Sequence, residues 1–392
     1  MRILQIVPSI SLVYGGPSQM VLGLSKALAA EGAEVTILTT DSNGDAGQAP
    51  LEVPIAQPIK QDGYQIIYFR CSPFRRYKYS LHLLYWLQIH AHEFDLAHIH
   101  ALFSPVSTAS ARIARKKNLP YILRPLGTLD PADLQKKSQL KKLYAYLWEK
   151  SNLAGAAALH FTSEQEAKIS ERFGIKTTDL VLPIGIELPL QLPAFGKTRD
   201  RLNINGDRVL LLFMSRIDPK KGLDLLLPAL ESLIELGLDF HFVLAGTNPQ
   251  DPDYEREIQH QISNSPLADR TSIVGFVSGE KKLELLLDAD LFVLPSYYEN
   301  FGIAVAEAMA IGTAVVISDR VHICDRVEQA EAGWIASCSI EDLTTKLKLA
   351  LQDAEERKRR GLNAKNYALK HYSWSAIAKQ MIEAYKSLIN AD

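Results

Sequence analysis

Short apolar runs alternate with helically spaced apolar positions through almost all of the 392 residues. The run ILQIVPS reads as a buried strand. After a turn at Tyr14-Gly15-Gly16-Pro17, SQMVLGLSKALAAEG carries apolar residues at helical spacing and stops at Gly32. EVTILTT, QIIYFR, LAHIH, YILRP, AALHFTS and LVLPI supply further strands, with helices expected over 105–117 and 164–173. Residues 188–200 break this rhythm with Pro189, Pro193 and Gly196 and read as a linker. The alternation then restarts. VLLLFMSR predicts a strand, GLDLLLPALESLIELG a helix and FHFVLAG a strand. TSIVGFV, DLFVLPS and TAVVISD follow, with helices over 280–288 and 302–311. Near the end, WSAIAKQMIEAYKSLIN is an amphipathic helix whose periodicity fits ordinary packing.

Repeated strand–helix alternation implies parallel sheets covered on both faces. The chain is too long for one ordinary core, so the expected class is α/β, with two doubly wound Rossmann-like domains facing across a cleft. They are placed at 1–190 and 191–371. Ligands of such sheets bind beyond the carboxyl ends of the strands, which directs attention to the residues just after each one.

Composition changes this picture little. The chain is 47% hydrophobic and 22% charged, with a net charge of −2, so no global basic excess points to nucleic acid. Residues 1–190 carry 20 Lys and Arg against 16 Asp and Glu, whereas 191–392 carry 23 against 29. That weakly favours an anionic or membrane-bound partner for the first half. Cys71, Cys324 and Cys338 are odd in number and far apart, which fits a reducing cytosol better than a disulfide framework. MRILQIVPSI lacks a signal-peptide core, and no apolar stretch approaches the length of a membrane span. A cytoplasmic protein, soluble or peripheral at the inner face of the membrane, is expected.

The chemistry concentrates in DLFVLPSYYENFGIAVAEAMAIGTAVVISD, residues 290–319. Glu299 precedes a helix and Glu307 lies inside it. A helix N-terminus suits a diphosphate, and carboxylates accept hydrogen bonds from vicinal hydroxyls. The spacing alone fits equally a dipole partner at Glu299 and a solvated acid at Glu307. However, Ala304, Val305, Ala306, Ala308, Met309 and Ala310 surround Glu307, and a buried acid there needs a partner. Arg216 and Lys221 follow the first strand of the second half, where they can converge on a leaving diphosphate or form a solvated basic loop. His82, His90, His92, His98 and His100 crowd one region, and His98 and His100 share a strand face. Without an acid or Cys at a familiar spacing they read as helix-surface and strand-end histidines, and no metal site is expected.

The stretch 290–319 resembles the Glu-x7-Glu motif of the retaining glycosyltransferases of family 4, which have the two-domain GT-B fold. The match includes the acid pair, the preceding PS, the FG between them and the EAMAIGTAVV continuation. The resemblance implies that Glu299 contacts the donor sugar and Glu307 the ribose hydroxyls, and that the backbone at Asn300, Phe301 and Gly302, beside Ile303, approaches sugar and phosphates. It likewise places Arg216 and Lys221 on the diphosphate, and Gly15 and Gly16 in a loop facing phosphates and acceptor. Val277, in a Gly-Phe-Val turn, falls beside the nucleobase, and His100 borders the acceptor cleft. The Asp288-Ala289-Asp290 triplet looks like the family's structural Asp before its strand, and the Asp251-Pro252-Asp253 triplet stays without a metal. The final helix, 372–392, would cross back to the first domain.

Two departures stand out. Leu126 occupies the position of a His that many members carry near the reacting carbon, and the neighbouring Arg124 cannot replace it as a base. Ile184 replaces the Asn of an NGI-type turn before Gly185. RPLGTLDP, followed by Lys136, Lys137, Lys141 and Lys142 and then Tyr144, Tyr146 and Trp148, resembles the exopolysaccharide branch, including heterocyst-envelope polysaccharide transferases. This basic, aromatic stretch fits a membrane-facing helix for a polyprenyl-linked acceptor, and equally a solvated basic helix. The expected activity is retaining transfer of a hexose, glucose foremost, from a UDP-sugar to a glycan or lipid-linked oligosaccharide. No cofactor is expected besides that co-substrate. A UDP-sugar epimerase and a non-catalytic nucleotide-sugar sensor are the alternatives.

Overall fold

The computed structural model describes all residues except 45–47, 72–76, 136–137, 189–190, 250 and 391–392, and omits the side chains of 132 and 138. Lys136, Lys137 and Pro189 therefore lie outside the described residues. The chain divides into two compact units, Met1–Gly185 with Ser373–Asp392, and Ile186–Tyr372.

Unit 1 contains strands β1 (Arg2–Ile6), β2 (Glu34–Thr40), β3 (Pro58–Gln61), β4 (Tyr64–Phe69), β5 (Leu96–His100), β6 (Tyr121–Arg124), β7 (Ala158–Phe161) and β8 (Asp179–Val181). Its helices begin with α1 (Gly16–Ala30), α2 (Leu81–His90), α3 (Pro105–Lys116) and α4 (Pro131–Gln135). α5 (Ser138–Tyr144), α6 (Lys150–Ala154) and α7 (Glu164–Ile169) complete the first stretch of chain. Unit 2 contains β9 (Val209–Met214), β10 (Phe240–Ala245), β11 (Thr271–Gly275), β12 (Leu291–Leu294), β13 (Ala314–Ser318) and β14 (Gly333–Ala336). Its helices are α8 (Lys197–Leu202), α9 (Leu223–Glu235), α10 (Pro252–Ser263), α11 (Gly279–Asp288), α12 (Ile303–Ile311), α13 (Cys324–Gln329), α14 (Ile340–Gln352) and α15 (Ala354–His371). The last helix, α16 (Trp374–Ile389), belongs to unit 1.

The unit 1 sheet runs β3-β4-β2-β1-β5-β6-β7-β8, parallel except for the β3–β4 pair. Both faces are covered, so its central strands read as near-continuous apolar runs. One face packs Leu83, Leu87, Val106 and Ala111 of α2 and α3, and the other packs Met20, Leu24 and Leu28 of α1 with Ile377, Met381 and Tyr385 of α16. Trp374 opens α16 by wedging between two glycines. A Cβ on Gly23 would lie 2.4 Å, and one on Gly185 2.2 Å, from its indole, so both positions need glycine for close approach rather than for a turn.

The unit 2 sheet is parallel throughout, in the order β11-β10-β9-β12-β13-β14. Three of its helices, α10, α14 and α15, start where a short polar side chain accepts a first-turn N–H group, at Asp251, Ser339 and Asp353. The stretch read as a linker is in part structured. α8 occupies Lys197–Leu202, and Asp288 accepts backbone N–H bonds from Gly196, Thr198 and Arg199 at 2.6, 2.7 and 3.1 Å. Sequence periodicity missed it because six residues held by a distant carboxylate carry no amphipathic signal. Asp290 accepts from Leu210 N–H at 2.7 Å and from the Arg199 guanidinium at 2.5 Å. Asp251 caps α10 and Asp253 pairs with Arg256, so both Asp-x-Asp triplets do structural work. The helix expected over 164–173 ends at Ile169, where Ser170 turns extended.

Candidate active site

The strand order of unit 2 reverses at β9, which lies between β10 and β12. The loops leaving the carboxyl ends of β9 and β12 meet there, the place where open α/β sheets bind ligands. Tyr297 donates its backbone N–H to the Lys220 carbonyl at 2.9 Å, tying one loop to the other. The Lys221 ammonium pairs with the Glu299 carboxylate, both side chains being mostly buried. Gly222 makes this crossing feasible. Its φ is +72°, and a Cβ would stand 2.1 Å from the Pro295 carbonyl oxygen. Glu299 is further fixed through its backbone, donating N–H to Arg320 at 3.1 Å and accepting from His322 N–H at 2.9 Å.

α12 begins beside this pair. Its N-cap, Gly302, has no side-chain oxygen to satisfy the first-turn N–H groups, and Glu299 Cγ lies 3.5 Å from where a Gly302 Cβ would stand. The positive end of a helix and a fixed ammonium thus adjoin a carboxylate, a setting suited to an anionic leaving group carrying hydroxyls. Glu307 sits about one turn along α12 and finds its partner on α11, where Lys282 Nζ lies 2.7 Å away. The acid in an apolar helix signalled the need for a partner; nothing in the sequence pointed to Lys282, because only folding brings α11 alongside. Arg216 is exposed on the β9 loop.

Other expected residues are placed as follows. The Phe301 side chain is buried, edge-on to Tyr372 at 5.2 Å, so it belongs to the core of unit 2 and leaves only its backbone for a ligand. Asn300 accepts a hydrogen bond from the Tyr298 hydroxyl. Ile303 and Val277 are half-buried, while Phe276, next to Val277, is exposed. Gly15, at φ +68°, caps α1 of unit 1, and Gly16 is the first residue of that helix.

His100 requires a correction. Its side chain is wholly buried, and it donates from Nε2 to Gln5 Oε1 at 2.7 Å, so it borders no acceptor at the surface. His98 is likewise no surface residue. It stacks on His100 with ring centroids 4.5 Å apart. His160, which no motif marked, completes the cluster. The Leu182 carbonyl can only accept, so His160 Nε2 donates to it at 2.9 Å and its Nδ1 is the acceptor. His98 Nε2 donates to that nitrogen at 3.3 Å, and His98 Nδ1 accepts from the Tyr385 hydroxyl at 2.7 Å. Burial, reinforced by the Arg124 charge, pushes all three imidazoles down, His160 to about 3, so they stay neutral. Burial also draws the Arg124 guanidinium down to about 10. Leu126, in the loop after β6, takes a left-handed φ of +57°.

Comparison with known proteins agrees with this architecture. Residues 195–367 match the family described as glycosyl transferases group 1, and residues 15–185 match the glycosyl transferase 4-like domain. The chain therefore belongs to the glycosyltransferases and has their two-domain GT-B fold. It is 30% identical over 194 residues to alpha-D-kanosaminyltransferase of Streptomyces kanamyceticus, covering 49% of each chain. It is 29% identical over 238 residues to N,N'-diacetylbacillosaminyl-diphospho-undecaprenol alpha-1,3-N-acetylgalactosaminyltransferase of Campylobacter jejuni, covering 58% of this chain and 60% of that one. The matches thus span about half the length of these relatives. Among solved structures, Anabaena HepE in complex with UDP-glucose superimposes with a TM-score of 0.74 at 19% identity, over 99% of this chain and 100% of that one.

Proposed function

We propose that this glycosyltransferase is a retaining hexosyltransferase that uses a UDP-hexose, glucose foremost, and delivers the sugar to a glycan or lipid-linked oligosaccharide in exopolysaccharide synthesis. The observation that carries the reading is the Lys221–Glu299 pair at the strand-order reversal of unit 2, beside the α12 N-terminus. Lys221, with Arg216, would neutralise the departing diphosphate, while Glu299 would exchange its partner for hydroxyls of the transferred sugar. Glu307 would hold the ribose, with Lys282 as its partner on α11. Gly15 and Gly16 remain assigned by resemblance to a phosphate- and acceptor-facing loop. In transfer, the bond from the anomeric carbon to the phosphate oxygen breaks as the bond from the acceptor hydroxyl oxygen forms, and a phosphate oxygen takes the hydroxyl proton. This route needs no protein base, in keeping with Leu126 standing where a His was expected and with the burial of His100. UDP-glucose bound to HepE supports the donor class, and RPLGTLDP supports the exopolysaccharide branch.

Donor hydrolysis and transfer assays on Glu299→Ala and Lys221→Ala test the site. Both variants should lose turnover while retaining the wild-type melting temperature. Wild-type turnover in both would defeat the assignment. A thermal-shift screen of nucleotide sugars tests the donor, since a ligand of the native state raises apparent stability. UDP-glucose should give the largest shift, and no shift from any nucleotide sugar at saturation would overturn the reading.

A further inference from the structure

One face of unit 1 combines exposed apolar side chains with cations in a way that the donor site does not explain. α5 runs through a π-helical turn, Ala145–Glu149, into α6. The wide turn lets three consecutive side chains, Tyr146, Leu147 and Trp148, face outward together. With Leu140 and Leu143 they are between 43% and 73% exposed, far more apolar surface than one helix ordinarily leaves uncovered.

The run is rigidly seated from beneath. Glu149 is buried and accepts from Thr108 Oγ1 at 2.6 Å, Phe103 N–H at 3.0 Å and Asn152 Nδ2 at 3.3 Å. The Tyr144 hydroxyl donates to Thr108 at 2.9 Å, and Tyr121 donates to the Asn152 carbonyl at 2.7 Å. The exposure is therefore a property of a fixed helix. Between this run and α3 lies a groove of about 580 Å³, walled by Tyr144 and Trp148 and edged by Arg112 and Arg115.

The exposed, unpaired charges that this stretch of chain carries have one sign. Arg112, Lys116, Lys117 and Lys142 are exposed along α3 and α5, and Lys150 lies 5.9 Å from the Tyr146 ring centre. Each carboxylate between Pro105 and Ala154 is occupied or withdrawn. Asp130 and Glu149 are buried, and Asp133 pairs with Lys141 at 2.7 Å. Among the described residues no helix is long and apolar enough to cross a membrane. Apolar and aromatic side chains flanked by unopposed cations are the composition that partitions into the headgroup layer of an anionic bilayer.

We propose that this face, comprising α5, the π-helical turn and the outer side of α3, docks unit 1 on an anionic membrane surface, with the Arg112–Arg115 groove receiving an anionic lipid headgroup. Leu140, Leu143 and Leu147 enter the acyl boundary, Tyr146 and Trp148 sit at headgroup depth, and the cations hold lipid phosphates. The inference stands apart from the donor assignment, and its readout is partitioning rather than turnover.

Sedimentation of the full chain with vesicles tests it, comparing pure phosphatidylcholine with vesicles containing about one third phosphatidylglycerol. Binding is expected to the anionic vesicles, with a blue shift of tryptophan emission. Leu143→Ser/Leu147→Ser/Trp148→Ser and, separately, Arg112→Ala/Lys142→Ala should each weaken binding by about an order of magnitude. The charge variant touches no buried residue, so it remains informative should the triple variant fail to fold. Failure to bind anionic vesicles, or unchanged binding in the charge variant, overturns the proposal. So does light scattering that finds a dimer dispersed by the triple variant, since the face would then belong to a second copy. Loss of vesicle binding with wild-type UDP-glucose hydrolysis in the charge variant would separate this surface from the donor site.

Discussion

At the strand-order reversal of unit 2 the polar groups form an ion pair carried by loops; at the reversal of unit 1 the histidines are neutral, hydrogen-bonded and carried by the strands themselves. Lys221 and Glu299 leave β9 and β12 before they meet, whereas Gln5, His98 and His100 project from within β1 and β5. The difference follows from burial. A charge taken wholly out of water costs more than its partner returns, so unit 1 keeps its imidazoles neutral and spends their hydrogen bonds on Tyr385 and a carbonyl. Partly exposed loops can hold an ion pair that a ligand reopens. Under the proposed donor assignment unit 2 exchanges partners at its reversal, whereas unit 1 fastens α16 there.

Breaking the unit 2 pair should have the largest effect. Lys221→Ala is expected to lower kcat/KM for transfer from UDP-glucose by about two to three orders of magnitude, the usual cost of one preorganised charge on a leaving group. A loss in melting temperature instead of activity would move that pair into the structural class that unit 1 exemplifies. Next comes the α16 anchor. Trp374→Ala should lower unfolding free energy by about 3 kcal/mol in urea titrations, since Gly23 and Gly185 cannot close the space left by the indole. An effect well below 1 kcal/mol would show that α16 is not fastened as the contacts indicate.

The histidines predict a pH dependence with a definite sign. An unfolded histidine takes its proton near pH 6.5, whereas His160 does so only near 3 and His98 and His100 also far below 6.5. Below pH 6.5 the unfolded chain binds more protons than the native one. Their contribution to stability is intact above pH 6.5 and declines as the pH falls toward 3, by up to about 1.4 kcal/mol per pH unit for each histidine. His160→Gln should flatten that slope in urea unfolding followed from pH 7 to 4, and an unchanged slope would argue against the neutral cluster. The smallest effect is expected at Lys282→Ala. Glu307 keeps its position on α12, so KM for UDP-glucose should rise by about fivefold or less, with kcat near wild type, the loss of about one partly exposed ion pair.

Periodicity placed the strands of both sheets except the edge strands β3 and β14, because the central strands are buried on both faces and announce themselves as apolar runs. The α12 segment was equally plain, since Glu299, Gly302 and Glu307 are fixed by local spacing along one strand–loop–helix unit. The Asp288-Ala289-Asp290 triplet reads as structural, and the three N–H bonds that Asp288 accepts from Gly196, Thr198 and Arg199 show how. α8 itself escaped notice, since a distant carboxylate stabilises it. His98 and His100 were seen to share a face, but whether that face is wet or dry depends on α1 and α16 packing over the sheet. His160 and Tyr385 were invisible for the same reason, being 62 and 287 positions from His98.

By itself, then, the sequence determined what is local: strand and helix identity, the Glu-x7-Glu spacing, and the basic pair after β9. Tertiary structure decided what is pairwise at long range. It gave Lys221 to Glu299 and Lys282 to Glu307, sealed the histidines in a neutral network, and left Leu143, Leu147 and Trp148 uncovered. The physical reason is that periodicity reports which face of an element is apolar, whereas burial and charge compensation depend on which other element lies against that face.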